Sequence, residues 1–413
     1  MNNTPKHEAG VMDQQETDTG PNAAAMPLLG ITVIEFCSVA AGPFCGMLLA
    51  DMGAEVIKVE SPQGDTLRQW PPLTDGFSEN FASLNRNKSS IALNLKHPGD
   101  LEIARQLVAG AQIIIENNRP GVMNRLGLGY QLLSKGRPEL IYCSISAFGQ
   151  EGPRADQGGF DLTIQAMSGI MSVTGEPDGE PVKCGVPVSD FSAGLYAAFA
   201  IASLVARVRA GGTGGHIDIS MLGTSLSIAA LQTSEYFGTG NDPRPLGSAH
   251  PRNSPYQAYR SEDGYFVIAA GNDKLWHAVC GVTGMHDLMT DSRFLTTLSR
   301  AANQKLLTTI LGPFFARRTT AELLQMFEAA GVPCSRINSY SDILEDDHVQ
   351  FQRWVQPLTL PSGKATHTFA SPIKIDGNRQ PIRKMPPDLD SDRGEIIARY
   401  ANEPVKRDLQ AAQ

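Results

Sequence analysis

No run of about 18 consecutive apolar residues occurs in the 413-residue chain, so a membrane-spanning helix is not expected. Paired cysteine spacing is also missing: Cys37, Cys45, Cys143, Cys184, Cys280 and Cys334 are scattered, with no C-x-x-C. This excludes a zinc ribbon or a disulfide framework and fits reduced, mostly buried thiols in a cytoplasmic protein. No metal site is expected either. Excess positive charge is lacking, because 35 Lys and Arg face 43 Asp and Glu for a net charge of -8. Such a chain has no general field for nucleic acid or an anionic membrane, and any phosphate it binds must be held locally. Residues 1–26 contain no aromatic and no basic stretch leading into an apolar core. They read as a disordered polar leader, neither a secretion signal nor, given their acidic residues, a mitochondrial one.

From Leu28 the character changes. ITVIEF is a short β-branched run, AAGPFCG a turn, CGMLLADMG a helix-like stretch and AEVIKVE the next apolar run, which together make a β-α-β unit. SSIALNL, the helical GDLEIARQLVAGA, QIIIENN and LIYCSIS continue the alternation. Strands that are apolar almost throughout imply a parallel sheet covered on both faces, hence an α/β fold. Residues 190–211 are apolar nearly all round and free of Pro, predicting a buried helix that starts at an Asp cap and ends at Gly. HIDIS reads as a further strand. The loop NDPRPLGSAHPRNSP marks a crossing into a second, smaller unit, in which YQAYRSEDGYFVIAAGND is a hairpin turning at Asp263-Gly264.

Three features could carry chemistry. The turn Val39-Ala40-Ala41-Gly42-Pro43 places backbone amides at a strand end and helix start, where α/β sheets bind phosphate, and Glu60 closes the following strand. The order is not G-x-G-x-x-G, however, and GGTGG at 211–215 follows a helix, so nicotinamide binding is a minority reading against a plain tight turn. Arg86 and Lys88, within LNRNKSS, make a loop suited to phosphate or carboxylate, whereas Lys58, Arg68, Arg119 and Arg125 taken singly are ordinary solvated charges. Asp190, at the mouth of the apolar helix, is explained by capping alone. The same place offers amides and a dipole that would keep a carboxylate ionised at neutral pH, and donors for an oxyanion.

The strings LLGITVIEFCSVAAGPFCGMLLADMGAEVIKVESPQGD, LNRNKSSIALNLK, IENNRPGVMNRLGLGY, YCSISAFGQEGP, GGFDLTIQAMSG, GVPVSDFSAGLYAAFAIASL and GGHIDISML, in that order, resemble the class III CoA-transferase family from Leu28 to about residue 380. That family includes formyl-CoA transferase, carnitine CoA-transferase and the alpha-methylacyl-CoA racemases. The resemblance implies a Rossmann-like large domain with a parallel sheet (27–240, rejoined by 336–413), a smaller α/β domain (241–335) and an interlocked, ring-shaped homodimer.

It further implies Asp190 as the covalent nucleophile, with Val39, Ala41, Leu93, Asn117, Asn118, Arg125 and Met221 lining the CoA groove and Ala40 facing the acyl group. CoA thioesters and small carboxylic acids are then the substrates, with no permanently bound cofactor. Two departures narrow this. Racemases of the family carry a His where Phe160 stands before Asp161, and Phe moves no proton. The consecutive glycines that formyl-CoA transferase folds over its site are replaced by LGSAHPRNSPYQAY, which argues against formate/oxalate specificity. The GSAHPRNSPYQAY loop and the hairpin look similar to those of members that use succinyl-CoA with dicarboxylates, and His250 or Arg252 is then the candidate partner of the distal carboxylate. A racemase and a non-catalytic CoA-binding protein are the competing readings.

Overall fold

Six strands, all paired in parallel, form the main sheet of the computed structural model, which describes residues 26–400. They are β1 (Thr32–Phe36), β2 (Glu55–Glu60), β3 (Lys88–Ala92), β4 (Ile113–Glu116), β5 (Ile141–Ser146) and β6 (Gly215–Ser220). Their order in space is β3-β2-β1-β4-β5-β6, with Val33 registered between Val56 and Ile113. That is the doubly wound order, and the direction of winding reverses between β1 and β4. The leader expected over 1–26 lies outside the described residues except for Met26.

Alternation along each strand sends side chains to two cores. Val33, Val56, Ile113, Cys143 and Ile219 face α1 (Ala41–Asp51) on one side. Ile34, Ile57, Ile91, Ile114 and Tyr142 face α2 (Pro98–Gly110) on the other. Next come α3 (Asp161–Met167), α4 (Val188–Arg209), α5 (Met221–Ile228) and α6 (Ala230–Thr239). Helix α4 packs on the α1 side through a stripe at every fourth residue, Ser189, Ala193, Ala197, Ile201 and Val205. The expectation of a helix buried all round is therefore corrected: Leu195 and Phe199, on the opposite stripe, are exposed. By length and composition α4 could cross a membrane, yet it is seated in the core along one face.

Beyond α6 a separate three-stranded antiparallel sheet, order β9-β8-β7, is built from β7 (Tyr256–Arg260), β8 (Tyr265–Ala269) and β9 (Cys334–Arg336). The predicted hairpin is present, with Ser261 N–H bonded to Gly264 O across the turn. Helices α7 (Asp273–Thr283), α8 (Gln304–Phe315) and α9 (Thr320–Ala329) cover it around a core of Trp276, Phe266, Phe315 and Phe327. The chain then returns to the main sheet. Asp392 and Asp390 accept the Ser90 and Ala92 N–H groups at 2.9 and 2.8 Å, occupying the otherwise open edge of β3, and α10 (Arg393–Tyr400) sets Ile396 into the core on the α2 side.

Beneath α1 lies a space only glycine permits. A Cβ on Gly46 would overlap Glu35 Oε2, and one on Gly42 would overlap Cys37 Sγ. Gly46→Ala is expected to cost roughly 3 kcal/mol or more in a denaturation measurement, because the overlap falls on a buried ion pair. Gly281→Ala, in α7 with open space around it, is expected to be neutral or to gain up to about 1 kcal/mol. Equal effects at the two positions would refute the packing account.

Candidate active site

After β1 the chain passes through Cys37–Ala40 into α1, and Val39 takes φ of 65°, a left-handed conformation that a β-branched residue rarely adopts. Several bonds hold it there. The Asp65 carboxylate accepts Val39 N–H at 3.1 and 3.2 Å. Asn117, just past β4, accepts Ser38 N–H at 3.0 Å and donates to Ser38 O at 2.8 Å. Asn118 Nδ2 donates to Phe36 O at 3.3 Å. The predicted groove residues Val39, Ala40, Ala41, Asn117 and Asn118 thus flank the point where the winding reverses, where open α/β sheets bind ligands.

Charges buried beneath the turn brace it from below. Lys58 Nζ donates to Cys37 O at 2.7 Å and lies 3.1 Å from Glu35 Oε1 and 2.9 Å from Asp65 Oδ2. Lys88 Nζ donates to Pro43 O at 2.8 Å and lies 2.9 Å from Glu35 Oε2. All four side chains have no exposed surface, and the two cations balance the two carboxylates. Burial pulls both ammonium groups down; at Lys58, Glu35 and Asp65 reverse this and lift it above its ordinary value, while Lys88 stays below it. The Arg86 and Lys88 loop therefore does not serve as the anion site expected of it. Arg86 is turned inward onto Asp51, its Nε 3.1 Å from Oδ1, and Lys88 onto Glu35.

Helix α4 begins beside this turn. Its N-cap is Pro187, not the Asp expected, and Asp190 occupies the third helical position. The Asp161 carboxylate takes over the capping: Oδ1 accepts Ser189 N–H at 2.9 Å and Asp190 N–H at 3.4 Å. Gly194, one turn further on, packs so tightly on α1 that a Cβ there would lie 2.8 Å from Ala41 O. Phe191 meets Phe44 with centroids 4.6 Å apart. Because residues i and i+4 share a helix face, Asp190 lies on the same stripe as Gly194 and next to the start of α1. That start has no side-chain cap. The carboxyl of Asp190 is not held ionised by the helix, as expected from sequence; burial, and then the charge of Asp161, raise its pKa to about 7.

Other predicted residues lie as follows. Met221 opens α5 and is buried in the core on the α4 side. Leu93 follows β3 and is buried on the α2 side. Arg125 is exposed and, with Arg119, Glu116, Tyr130 and His216, lines a cavity of about 570 Å³ on the α2 side of β4–β6, which Asp190 does not reach. His250 and Arg252 are not drawn to Asp190 by any hydrogen bond or ion pair among the described residues. Arg252 pairs with Glu235 of α6 at 3.0 Å, and its N–H donates to His250 Nδ1 at 3.1 Å. Asp161, Asp65 and Glu35 were missed. A charge in the middle of a buried strand run, as in VIEF and VIKV, signals a buried pair, and Asp161 directly follows Phe160 in the sequence. Among the described residues no group of three or more His, Cys, Asp or Glu could hold a metal.

A doubly wound sheet whose switch-point turn meets a helix carrying a half-buried carboxylate places that carboxylate beside the crevice where open α/β sheets bind ligands. The chain matches CoA-transferase family III over residues 28–393, and it belongs to that family. It is 37% identical over 380 residues to the succinate–glutarate CoA-transferase of Agrobacterium fabrum, covering 90% of this chain and 95% of that one. With the succinyl-CoA:glutarate CoA-transferase of Mus musculus it shares 40% over 339 residues, 81% of this chain and 78% of that one. A crystal structure of a CAIB/BAIF family protein from Brucella suis superposes with a TM-score of 0.79 at 37% identity, covering 91% of this chain and 99% of the other. The protein is an enzyme of the CoA-transferase class.

A carboxyl with a pKa of about 7 when folded, against 3.8 ordinarily, keeps its proton more tightly in the folded state. Stability therefore falls as pH rises from about 4 to 7, and the deficit is full above 7. Asp190→Asn is expected to stabilise the protein by a few kcal/mol at pH 8 and by distinctly less at pH 5. Thermal melts at the two pH values check this, and an equal shift at both would show that the carboxyl is not perturbed.

Proposed function

We propose that this enzyme moves CoA from an acyl-CoA, succinyl-CoA in the first instance, to a dicarboxylic acid through an aspartyl-CoA thioester on Asp190. The observation that carries the reading is the seat of Asp190, half-buried at the first turn of α4 and against the uncapped start of α1. A carboxylate shielded from water is a stronger nucleophile than a solvated one. Its oxygen attacks the thioester carbonyl carbon, the C–S bond breaks, and a mixed anhydride forms with release of CoA thiolate. The thiolate attacks the Asp190 carbonyl carbon and expels the donor acid. The acceptor carboxylate then attacks the aspartyl thioester, and the thiolate released attacks the acyl carbon of the new anhydride, restoring Asp190. Bond energy of the thioester is conserved throughout, and no ATP enters. Backbone N–H groups at the start of α1 are the donors available to a developing oxyanion.

The two relatives named above act, by their names, on succinate and glutarate, which supports a dicarboxylate acceptor. His250 or Arg252 is the group we assign to the distal carboxylate, with Arg252 leaving Glu235 to do so. Phe160, at the start of α3, offers no exchangeable proton and gives the racemase reading no support. Leu195, Phe199, Leu226, Leu231 and Phe237, exposed on α4 to α6, form an apolar surface suited to a second copy of the chain, in keeping with a homodimer. Residues 241–335 form the small domain in this reading, with 27–240 and 336–413 forming the large one. Six free cysteines are in keeping with a cytoplasmic enzyme.

Incubation with succinyl-CoA followed by intact mass measurement is expected to show a hydroxylamine-sensitive CoA adduct that Asp190→Ala lacks. Its rate of formation should rise with pH through about 7 and level off above, as Asp190 ionises. An adduct that survives Asp190→Ala would overturn the assignment. Arg252→Ala is expected to raise KM for glutarate about tenfold or more while leaving a monocarboxylate acceptor unchanged, consistent with loss of one charge-assisted pair; an unchanged glutarate KM would remove Arg252 from the site.

A further inference from the structure

Asp161 does more than a helix cap requires. The side chain of Pro187 offers no acceptor to the first turn of α4, and the orphan N–H groups of Ser189 and Asp190 are taken instead by Asp161 Oδ1, at 2.9 and 3.4 Å. Its other oxygen accepts Gln165 Nε2–H at 2.6 Å. Gln165 is fully buried and its Oε1 accepts Cys184 N–H at 2.9 Å, which ties the approach segment to the same carboxylate. A neutral Ser or Asn caps as well as Asp does. The negative charge therefore calls for a separate account, since a second carboxylate beside a half-buried one is costly.

Donors from Ser189, Asp190 and Gln165 solvate that charge, but no cation among the described residues offsets it. Among the described residues neither Asp161 nor Asp190 has a Lys, Arg or His within ion-pair distance. Apart from Asp161, the residues flanking Asp190 meet uncharged groups: Phe44 of α1 meets Phe191, and the hydroxyls of Ser225 and Thr224 of α5 bond those of Ser189 at 2.9 Å and Ser192 at 3.4 Å. After burial, the charge of Asp161 acts on Asp190 in the direction that disfavours its carboxylate.

We propose that Asp161 is a positioning residue for CoA transfer: it fixes the first turn of α4 and holds a negative charge against Asp190 that is relieved when Asp190 becomes acylated. This rests on the assignment of Asp190 as the nucleophile. In the free enzyme the two carboxylates repel each other. In the mixed anhydride and in the aspartyl thioester the Asp190 oxygen is bonded to carbon or replaced by sulfur, its charge has left with the departing acid or thiolate, and the repulsion is gone. The charge of Asp161 thus raises the free state relative to both covalent intermediates, and an interaction present in one state and absent in the other is what shifts a reaction step. Asp161 itself exchanges no atom or proton.

The test is to follow Asp190 by carbodiimide labelling against pH, read by peptide mass spectrometry, which needs no turnover. In the wild type the labelling midpoint of Asp190 is expected near neutrality, and a midpoint below about 5 would overturn the proposal without any variant. Asp161→Asn keeps the acceptor and removes the charge. Its midpoint is expected at least one pH unit lower, its melting temperature close to wild type, and its fraction of aspartyl-CoA thioester at equilibrium with succinyl-CoA about tenfold lower. Asp161→Glu is expected to retain the high midpoint, whereas Asp161→Ala should lose both midpoint and melting temperature. An unshifted midpoint in Asp161→Asn overturns the proposal. If wild-type Asp190 titrates as expected but no adduct forms with succinyl-CoA, the nucleophile assignment fails and the catalytic half of the proposal with it, while the charge coupling stands on the titration.

Discussion

Four charged side chains without any exposed surface lie beneath the turn that follows β1, and the geometry of the site depends on them. Glu35 sits between Lys58 and Lys88, and Asp65 joins Lys58 to the N–H of Val39. Taking ions out of water is expensive, and such a group is tolerated only when charges balance and the remaining donors are satisfied. Here the leftover ammonium hydrogens go to Cys37 O and Pro43 O, the two ends of the turn itself. The cluster cannot move without moving the turn. A β-branched residue can therefore be kept at positive φ, where a lone loop would relax. The cluster also explains Gly46 of α1, where no side chain fits between helix and Glu35; Gly42, one turn earlier, leaves room instead for Cys37.

The second constraint is the meeting of two helix starts. Helix α1 begins at the reversal of winding with no side-chain cap, and α4 begins against it, its Gly194 allowing backbone to approach backbone. This contact decides the environment of Asp190. A carboxylate at the third position of an exposed helix would be stabilised by the macrodipole and would ionise readily. At Asp190 loss of solvent and the neighbouring Asp161 outweigh that effect, and the group titrates near neutrality. The same local sequence thus gives opposite electrostatics depending on what packs around it.

Asymmetry between the faces of α4 follows from the same arrangement. Small residues at every fourth position, Ala193 and Ala197 with Ser189, let the helix lie close to α1 and the sheet, whereas Leu195 and Phe199 project from the other side. Apolar residues on both faces made the helix look uniformly buried in sequence. Over the first turns of α4 the stripes differ in size, small inward at Ser189, Ala193 and Ala197 and large outward at Leu195 and Phe199, before Ile201 and Val205 continue the inward face.

The sequence by itself determined the strands, their parallel pairing and the turn at the end of β1, because continuous β-branched runs bounded by glycine depend on short-range preferences and on burial on both faces. It also brought Asp190 forward, through motif order rather than through any local physics that separates a nucleophile from a cap. What only the tertiary structure decided were interactions between residues distant along the chain. Lys88 and Arg86 turned inward to Glu35 and Asp51, more than 30 positions away, instead of forming an anion loop. Asp161 became the cap of a helix that begins 27 residues later. Periodicity reports which face of an element is apolar; it carries no information about which charge will be its neighbour, since that is set by packing and by the cost of leaving a buried ion alone.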